Sequence, residues 1–123
     1  MKLPRNSVRA ALWVPQYASI TVCGMGIQIN VTFPIKERLL PYLDFDSVDG
    51  SRGYHYEKNH KYYITEGAFI RFADVKEGND VVSMIANRAN EMRLRLKIIR
   101  RKAEVRFLND EIVAAEELMK LKP

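Results

Sequence analysis

The last third of the chain, residues 80–121, reads DVVSMIANRANEMRLRLKIIRRKAEVRFLNDEIVAAEELMKL and contains neither glycine nor proline. So long a run without either residue, preceded by the capping candidates Asn79 and Asp80, predicts helix. Asn109 and Asp110 are the weak point, because both residue types disfavour helix interiors and suit caps. We therefore predict a long helix over residues 79–107 and a short terminal helix over residues 110–121.

Two apolar stripes run along the long helix when its side chains are placed at 100° per residue. The broader stripe repeats every three or four residues, which is typical of a face packed on the protein's own core. It comprises Ile85, Ala89, Met92, Leu96, Ile99, Ala103 and Phe107. A second, narrower stripe of Leu94, Ile98 and Val105 lies nearly opposite the first. An apolar face on each side of one helix predicts a second packing partner.

The length of the helix indicates what that partner is. About 29 residues span about 43 Å at 1.5 Å per residue, whereas a compact domain of this length is about 35 Å across. The helix overhangs or is enclosed, so we predict self-association, most simply around a two-fold axis, into a dimer or a higher homo-oligomer. The alternative is that the terminal helix folds back over the second stripe within one chain. The predicted self-association residues are Leu94, Ile98, Val105, Ile112 and Met119.

Charge is distributed unevenly along the same region. Residues 88–106 carry eight bases and two acids, a local charge of +6. Asp110, Glu111, Glu116 and Glu117 then contribute −4. An antiparallel neighbour, from the same chain or another, would bring acid against base, although each exposed pair is worth only a few tenths of a kcal/mol. The pattern favours assembly at least as strongly as it favours binding to nucleic acid.

The basic segment is also a candidate site for a phosphate-bearing ligand. Arginine outnumbers lysine in it, and the planar guanidinium matches phosphate oxygens in a bidentate manner. The basic candidates are Arg88, Arg93, Arg95, Lys97, Arg100, Arg101, Lys102 and Arg106. Tyr54, Tyr56 and Tyr62 are added because aromatic rings can stack on bases. The ordinary alternatives are a solvated helix face and tyrosines that simply pack in strands.

The residues before the helix predict an antiparallel sheet. Residues 27–33 alternate between apolar and polar side chains, and Gly24-Met25-Gly26 supplies the turn of a hairpin over residues 19–33. A short helix is expected near residues 35–43, before a three-stranded meander. Strands are expected at residues 8–14, 19–23, 27–33, 54–57, 60–65 and 68–73. The fold class is α+β, with about five to six short strands followed by the two helices, in one domain over residues 1–123 (1–78 mostly β, 79–121 helical).

Composition limits the class of protein. The chain has 123 residues, a net charge of +5, 47% hydrophobic and 28% charged residues, which is typical of one globular domain and too short for a (β/α)₈ barrel. Its single cysteine, Cys23, cannot form an intramolecular disulfide, so we expect a cytoplasmic protein. No run of about 18 apolar residues occurs, so we expect no membrane association.

Motifs that would indicate an enzyme are missing, since there is no phosphate-binding loop, nucleophile elbow or zinc-protease signature. His55 and His60 leave a hydrolase or metal site as a third hypothesis. We predict a small, non-enzymatic, regulatory binding protein without cofactor or metal. It self-associates and binds nucleic acid, or less favourably a small nucleotide. The alternative is a protein-interaction module, such as an inhibitor or adaptor from a virus or another mobile element, whose basic helix docks on an acidic protein partner.

Overall fold

The computed structural model describes residues 18–48, 50–75, 78 and 80–121, and within them the chain is α+β. A four-stranded antiparallel sheet has the order β1-β2-β4-β3, and a long C-terminal helix, α1, packs across one face. The elements are β1 (Ala18–Cys23), β2 (Gly26–Ile35), β3 (Tyr54–Lys58), β4 (Lys61–Arg71) and α1 (Val81–Lys120). The strand predicted at residues 8–14 lies outside the described residues.

The hairpin of β1 and β2 confirms the clearest strand pattern in the sequence. Every second residue of β2 from Ile27 to Ile35 is buried against α1, while the residues between them point to the other face. Cys23 pairs with Gly26, so the turn consists of two residues, Gly24 and Met25. A side chain at residue 26 would collide with the carbonyl oxygen of Ile70, which requires glycine at this position.

Strand β4 corrects the predicted meander. The strands expected at residues 60–65 and 68–73 form one strand, Lys61–Arg71, which pairs with β2 on one side and β3 on the other. Gly67 does not break it. A side chain there would approach the amide oxygen of Asn30 to 2.9 Å, so the glycine leaves room for the neighbouring strand's side chain. The described residues therefore form four strands rather than five or six.

The predicted short helix is a 3₁₀ helix, Glu37–Tyr42. Leu39 N–H donates to the Lys36 carbonyl and Leu43 N–H donates to the Leu40 carbonyl, each across three residues. Pro41 has no N–H group to donate to an α-helical hydrogen bond, which favours the tighter form. The buried Leu39 places this segment beneath α1.

Helix α1 is continuous from Val81 to Lys120, so the predicted break at Asn109 and Asp110 is wrong. Each of these residues costs only some tenths of a kcal/mol in a helix interior. The flanking residues, which include no glycine or proline, outweigh that cost. Fold-back of a separate terminal helix is therefore also wrong. At its start, the Asp80 carboxylate accepts a hydrogen bond from Val82 N–H at 3.0 Å, which confirms the predicted cap.

The two ends of α1 have different surroundings. The predicted core stripe is confirmed, because its members from Ile85 to Ala103 are buried and Phe107 packs edge-on against Tyr42 with ring centroids 5.9 Å apart. From Leu108 onward every described residue is exposed. A helix of 40 residues is about 60 Å long, against about 35 Å for the diameter of a compact domain of this size. The predicted overhang is thus longer than the sequence pattern indicated.

Candidate functional site

The five predicted self-association residues lie on one side of α1, nearly opposite the core stripe. All are exposed, with relative accessibilities between 42% for Ile98 and 71% for Met119. Because the helix is continuous, Leu94, Ile98 and Val105 share this side with Ile112 and Met119 instead of packing against them. We call these five residues, together with Arg101, Leu108 and Ala115 on the same side of the helix, the outer stripe.

The outer stripe follows a seven-residue repeat. Counting Ile98 as position a of the heptad, the a positions are Ile98, Val105, Ile112 and Met119, and the d positions are Leu94, Arg101, Leu108 and Ala115. A repeat of this kind, with β-branched residues at three of four a positions, is typical of a two-stranded coiled coil. Sequence analysis did not identify Leu108 and Ala115, because the predicted break interrupted the count between them. The seven-residue spacing was the signal in the sequence that could have identified both residues.

Arg95 is held inside the chain by two carboxylates. Its Nε donates to both oxygens of Glu66, at 3.0 and 3.2 Å, and its Nη1 donates to Glu91 Oε1 at 2.6 Å. Glu66 is buried, and its hydrogen bond is the main cause that raises the pKa of Arg95. This pair joins α1 to the middle of β4. The guanidinium is therefore engaged by the protein's own acids.

Three further bases on the same side of α1 also bind their own chain. Arg88 lies 3.9 Å from Glu91, and Lys102 Nζ donates to the Ser47 carbonyl at 3.2 Å. Arg106 donates to the Tyr42 carbonyl at 3.0 Å. The Lys102 and Arg106 contacts hold the end of the 3₁₀ helix and the segment after it against α1, whereas the Arg88 pair lies within the helix. Together with Arg95, Lys102 and Arg106 connect this side of α1 to the rest of the fold.

The other four bases, Arg93, Lys97, Arg100 and Arg101, lie on the opposite side of α1 and are less constrained. Arg100 stacks over the Phe33 ring at 5.0 Å, and Arg101 pairs with Glu104 at 3.0 Å. This side borders a cleft of about 550 Å³ between α1 and the 3₁₀ helix. Sequence analysis missed the two cations that the 3₁₀ segment adds. The lining comprises Pro34, Ile35, Lys36, Arg38, Leu39, Arg100, Arg101, Glu104 and Leu108.

The three candidate tyrosines do not share a surface. Tyr54 and Tyr56 of β3 lie on the face of the sheet away from α1, where Tyr56 stacks with Tyr63 at 5.4 Å between ring centroids. Tyr62 is on the helix side, where the charges of Glu37 and then Glu57 raise its pKa. Tyr63, not Tyr62, shares the face of Tyr54 and Tyr56, because β3 and β4 pair Tyr56 with Tyr63 across a turn at Asn59-His60.

The sheet separates the two groups of ligand-binding candidates. The basic helix covers one face of the sheet, whereas the tyrosine row of Tyr54, Tyr56 and Tyr63 lies on the other. A single bound strand of nucleic acid therefore cannot contact both groups across a flat surface. The two groups have to be considered as separate sites.

The remaining candidates contribute no cluster. His55 is exposed in β3 and His60 occupies the turn, and no group of three His, Cys, Asp or Glu side chains within the described ranges is arranged to hold a metal ion. None of the helices described by the structure is long and apolar enough to cross a membrane. The chain matches no protein-family model, no curated protein and no solved structure.

Proposed function

We propose that this protein is a non-enzymatic binding protein that self-associates through the outer stripe of α1. One observation carries the proposal: a seven-residue repeat of exposed side chains, apolar at every position except Arg101, continues along a single helix from Leu94 to Met119. Its second half lies beyond the sheet. A face built from residues such as Ile98, Val105 and Ile112 gains stability only when it is covered.

The exposed end of the helix supports the same proposal. Residues 111–120 make no packing contact with the sheet, and a segment of this length is only marginally helical in water on its own. Tertiary contacts supply most of the stability of helices in proteins. A partner helix along the outer stripe would provide those contacts for Ile112 and Met119. Such a partner would therefore account for the extension of α1 beyond the sheet.

Sedimentation equilibrium over a wide range of protein concentration tests the proposal. Wild type is expected to be a dimer or larger, and Ile112→Glu is expected to be a monomer, because it places a charge in the middle of the outer stripe. Ala114→Glu is the matched control. It adds the same charge two residues away, outside the stripe, and should assemble like wild type. A monomeric wild type, or assembly that Ile112→Glu leaves unchanged, would refute the proposal.

A second candidate function is the binding of single-stranded nucleic acid on the face of the sheet away from α1. The specific observation is the tyrosine row, which ends beside Lys58 and Lys61 on the same pair of strands. Aromatic rings stack on bases and lysines neutralise phosphates, a combination that is typical of single-strand binding. The cluster on α1 is less favourable for this role, because contacts within the chain engage most of its bases.

Titration with single-stranded RNA, single-stranded DNA and duplex DNA at low and near-physiological salt tests this second function. Tyr56→Ala and Lys58→Ala should weaken binding to single strands, whereas Lys97→Ala on α1 should not. If Lys97→Ala weakens binding and the sheet variants do not, the site is the basic helix that the sequence predicts. Absent or salt-insensitive binding would refute a nucleic-acid function altogether.

The cleft beside the 3₁₀ helix is the proposed place for the less favoured ligand, a small nucleotide. Its volume lies within the usual range for small-molecule sites, and four cations surround an apolar wall that includes Leu39. Calorimetric titration with a nucleoside triphosphate should show binding that Arg38→Ala abolishes. Arg71→Ala, an exposed arginine on the other face of the sheet, is the control. No heat of binding would remove this ligand.

A further inference from the structure

We infer that two copies of this chain pair antiparallel along α1, so that the acidic end of each helix lies against the basic segment of the other. The inference rests on the proposed self-association and adds the direction of pairing. It also identifies the acidic protein partner considered for the basic helix as a second copy of the same chain.

A parallel pair would place like charges together. In register, position d would bring Arg101 against the partner's Arg101 inside the apolar seam. The flanking g and e positions would bring Lys97 beside the partner's Lys102 and Glu111 beside the partner's Glu116. Every one of these pairs is repulsive, and repulsion at flanking positions is how coiled coils reject a wrong partner or direction.

An antiparallel pair makes the outer contacts attractive and leaves like charges only at its centre, where Glu104 meets the partner's Glu104 and Lys102 meets the partner's Lys102. Positions g then face each other, so Lys97 meets the partner's Glu111, and the symmetry repeats this contact. In the same register, Leu94 packs opposite the partner's Ile112 and Ile98 opposite the partner's Leu108. Arg101 lies opposite the partner's Val105 instead of another arginine. The segment of charge +6 thereby lies along the segment of charge −4.

Three charged side chains beside the outer stripe are unengaged within the part of the chain that the structure describes. Among the described residues, Lys97, Glu111 and Glu116 have no ion pair and no side-chain hydrogen bond, and all three are exposed. Their neighbours differ, since Arg95 is bound to Glu66 and Arg101 to Glu104. The unengaged base lies in the basic segment and the unengaged acids lie in the overhanging end. An antiparallel second copy brings the two together.

Disulfide trapping between two differently tagged chains tests the direction, in a Cys23→Ser background that removes the native thiol. Leu94→Cys mixed with Ile112→Cys is expected to give a crosslinked heterodimer, whereas Leu94→Cys alone is expected to give none. Efficient crosslinking of Leu94→Cys with itself would demonstrate parallel pairing and overturn the inference. A dimer in which neither combination crosslinks would also overturn it. A wild-type chain that sediments as a monomer would refute the proposed function itself.

A charge exchange provides an independent test. Lys97→Glu and Glu111→Lys should each weaken dimerisation, by roughly tenfold, because each turns two attractive contacts into repulsive ones. The double variant should recover most of the wild-type affinity. Glu117→Lys is the matched control, because it makes the same change at the acidic end away from the g position. A loss of affinity in the double variant equal to the sum of the two single losses would contradict the contact between Lys97 and the partner's Glu111.

Discussion

The two parts of α1 compare directly, because one uninterrupted helix packs on the body through its first 27 residues and is exposed from Leu108 onward. From Val81 to Phe107 the side toward the sheet is apolar and buried, whereas beyond Leu108 the same side carries Asp110, Ala114 and Glu117. The outer stripe does not change at this boundary. The core therefore determines where the core stripe ends, and the proposed self-association would account for the remaining length of the helix.

The largest expected effect comes from the same substitution made in each part. Leu96→Ala removes a fully buried side chain between helix and sheet and should lower the free energy of unfolding by about 3 kcal/mol. Leu118→Ala, in the overhanging part, should change it by less than about 0.5 kcal/mol. Urea unfolding at protein concentrations too low for assembly measures both. Similar losses in the two variants would mean that the overhanging part also packs on the body.

The next effect compares the buried and exposed ion pairs of the helix. Glu66→Gln leaves the Arg95 guanidinium without its buried countercharge and should cost about 2 kcal/mol. Glu104→Gln breaks the exposed pair with Arg101 and should cost less than about 0.5 kcal/mol. The midpoints of chemical denaturation measure the difference. If the two variants are equally stable, the pair between α1 and β4 does not contribute to the fold as described.

The start of the helix should show a pH dependence. The hydrogen bond from Ser83 lowers the pKa of Asp80, so the folded state favours the carboxylate. The contribution of this carboxylate to stability is complete above the pKa that Asp80 has in the unfolded chain. It is lost as the pH falls through the lower pKa of Asp80 in the folded state. Asp80→Ala should lower the free energy of unfolding at neutral pH, and Asp80→Asn should lower it much less, since asparagine also caps. Asp80→Asn should then lose less stability than wild type on acidification; an equal loss would contradict the capping role.

The smallest effect is expected at the boundary between the two parts. The Tyr42 hydroxyl donates to Asp110 Oδ2 at 2.6 Å, and this hydrogen bond is the first cause that raises the pKa of Tyr42. Tyr42→Phe should lower the free energy of unfolding only slightly, because the hydrogen bond that it removes is exposed. In this variant, the backbone amides near residue 110 should exchange hydrogen faster than in wild type, whereas those from Ile85 to Ala103 should exchange at the wild-type rate. Uniformly faster exchange would mean that the helix opens as one unit.

Periodicity predicted the parts of the fold that depend on local pattern. The core stripe of α1, the cap at Asp80 and the hairpin of β1 and β2 follow from spacing and turn chemistry alone. The continuity of the helix did not, because the penalties at Asn109 and Asp110 are small and the sequence does not show how the flanking residues outweigh them. The choice of a break also concealed the outer stripe, since it divided one seven-residue repeat between two helices.

Long-range contacts decided the rest. In the sequence Gly67 resembles a turn residue, and only the strand pairing places the Asn30 side chain beside it. The order β1-β2-β4-β3 likewise depends on pairing across the loop between β2 and β3. Tyr62 was grouped with Tyr54 and Tyr56 by residue type, whereas the strand register pairs Tyr56 with Tyr63 and leaves Tyr62 on the opposite face. Arg95 was predicted as a phosphate-binding candidate with the other bases of the helix, because its partner Glu66 lies 29 residues away in sequence.

Hydrogen exchange of the α1 amides at low and high protein concentration tests the central claim most directly. We predict that the amides of residues 108–119 exchange rapidly in dilute protein and become protected as the concentration rises, while those of residues 85–103 are protected throughout. Ile112→Glu should abolish the concentration dependence. Exchange of residues 108–119 that stays fast at every concentration, with a monomeric mass, would contradict assembly through this helix.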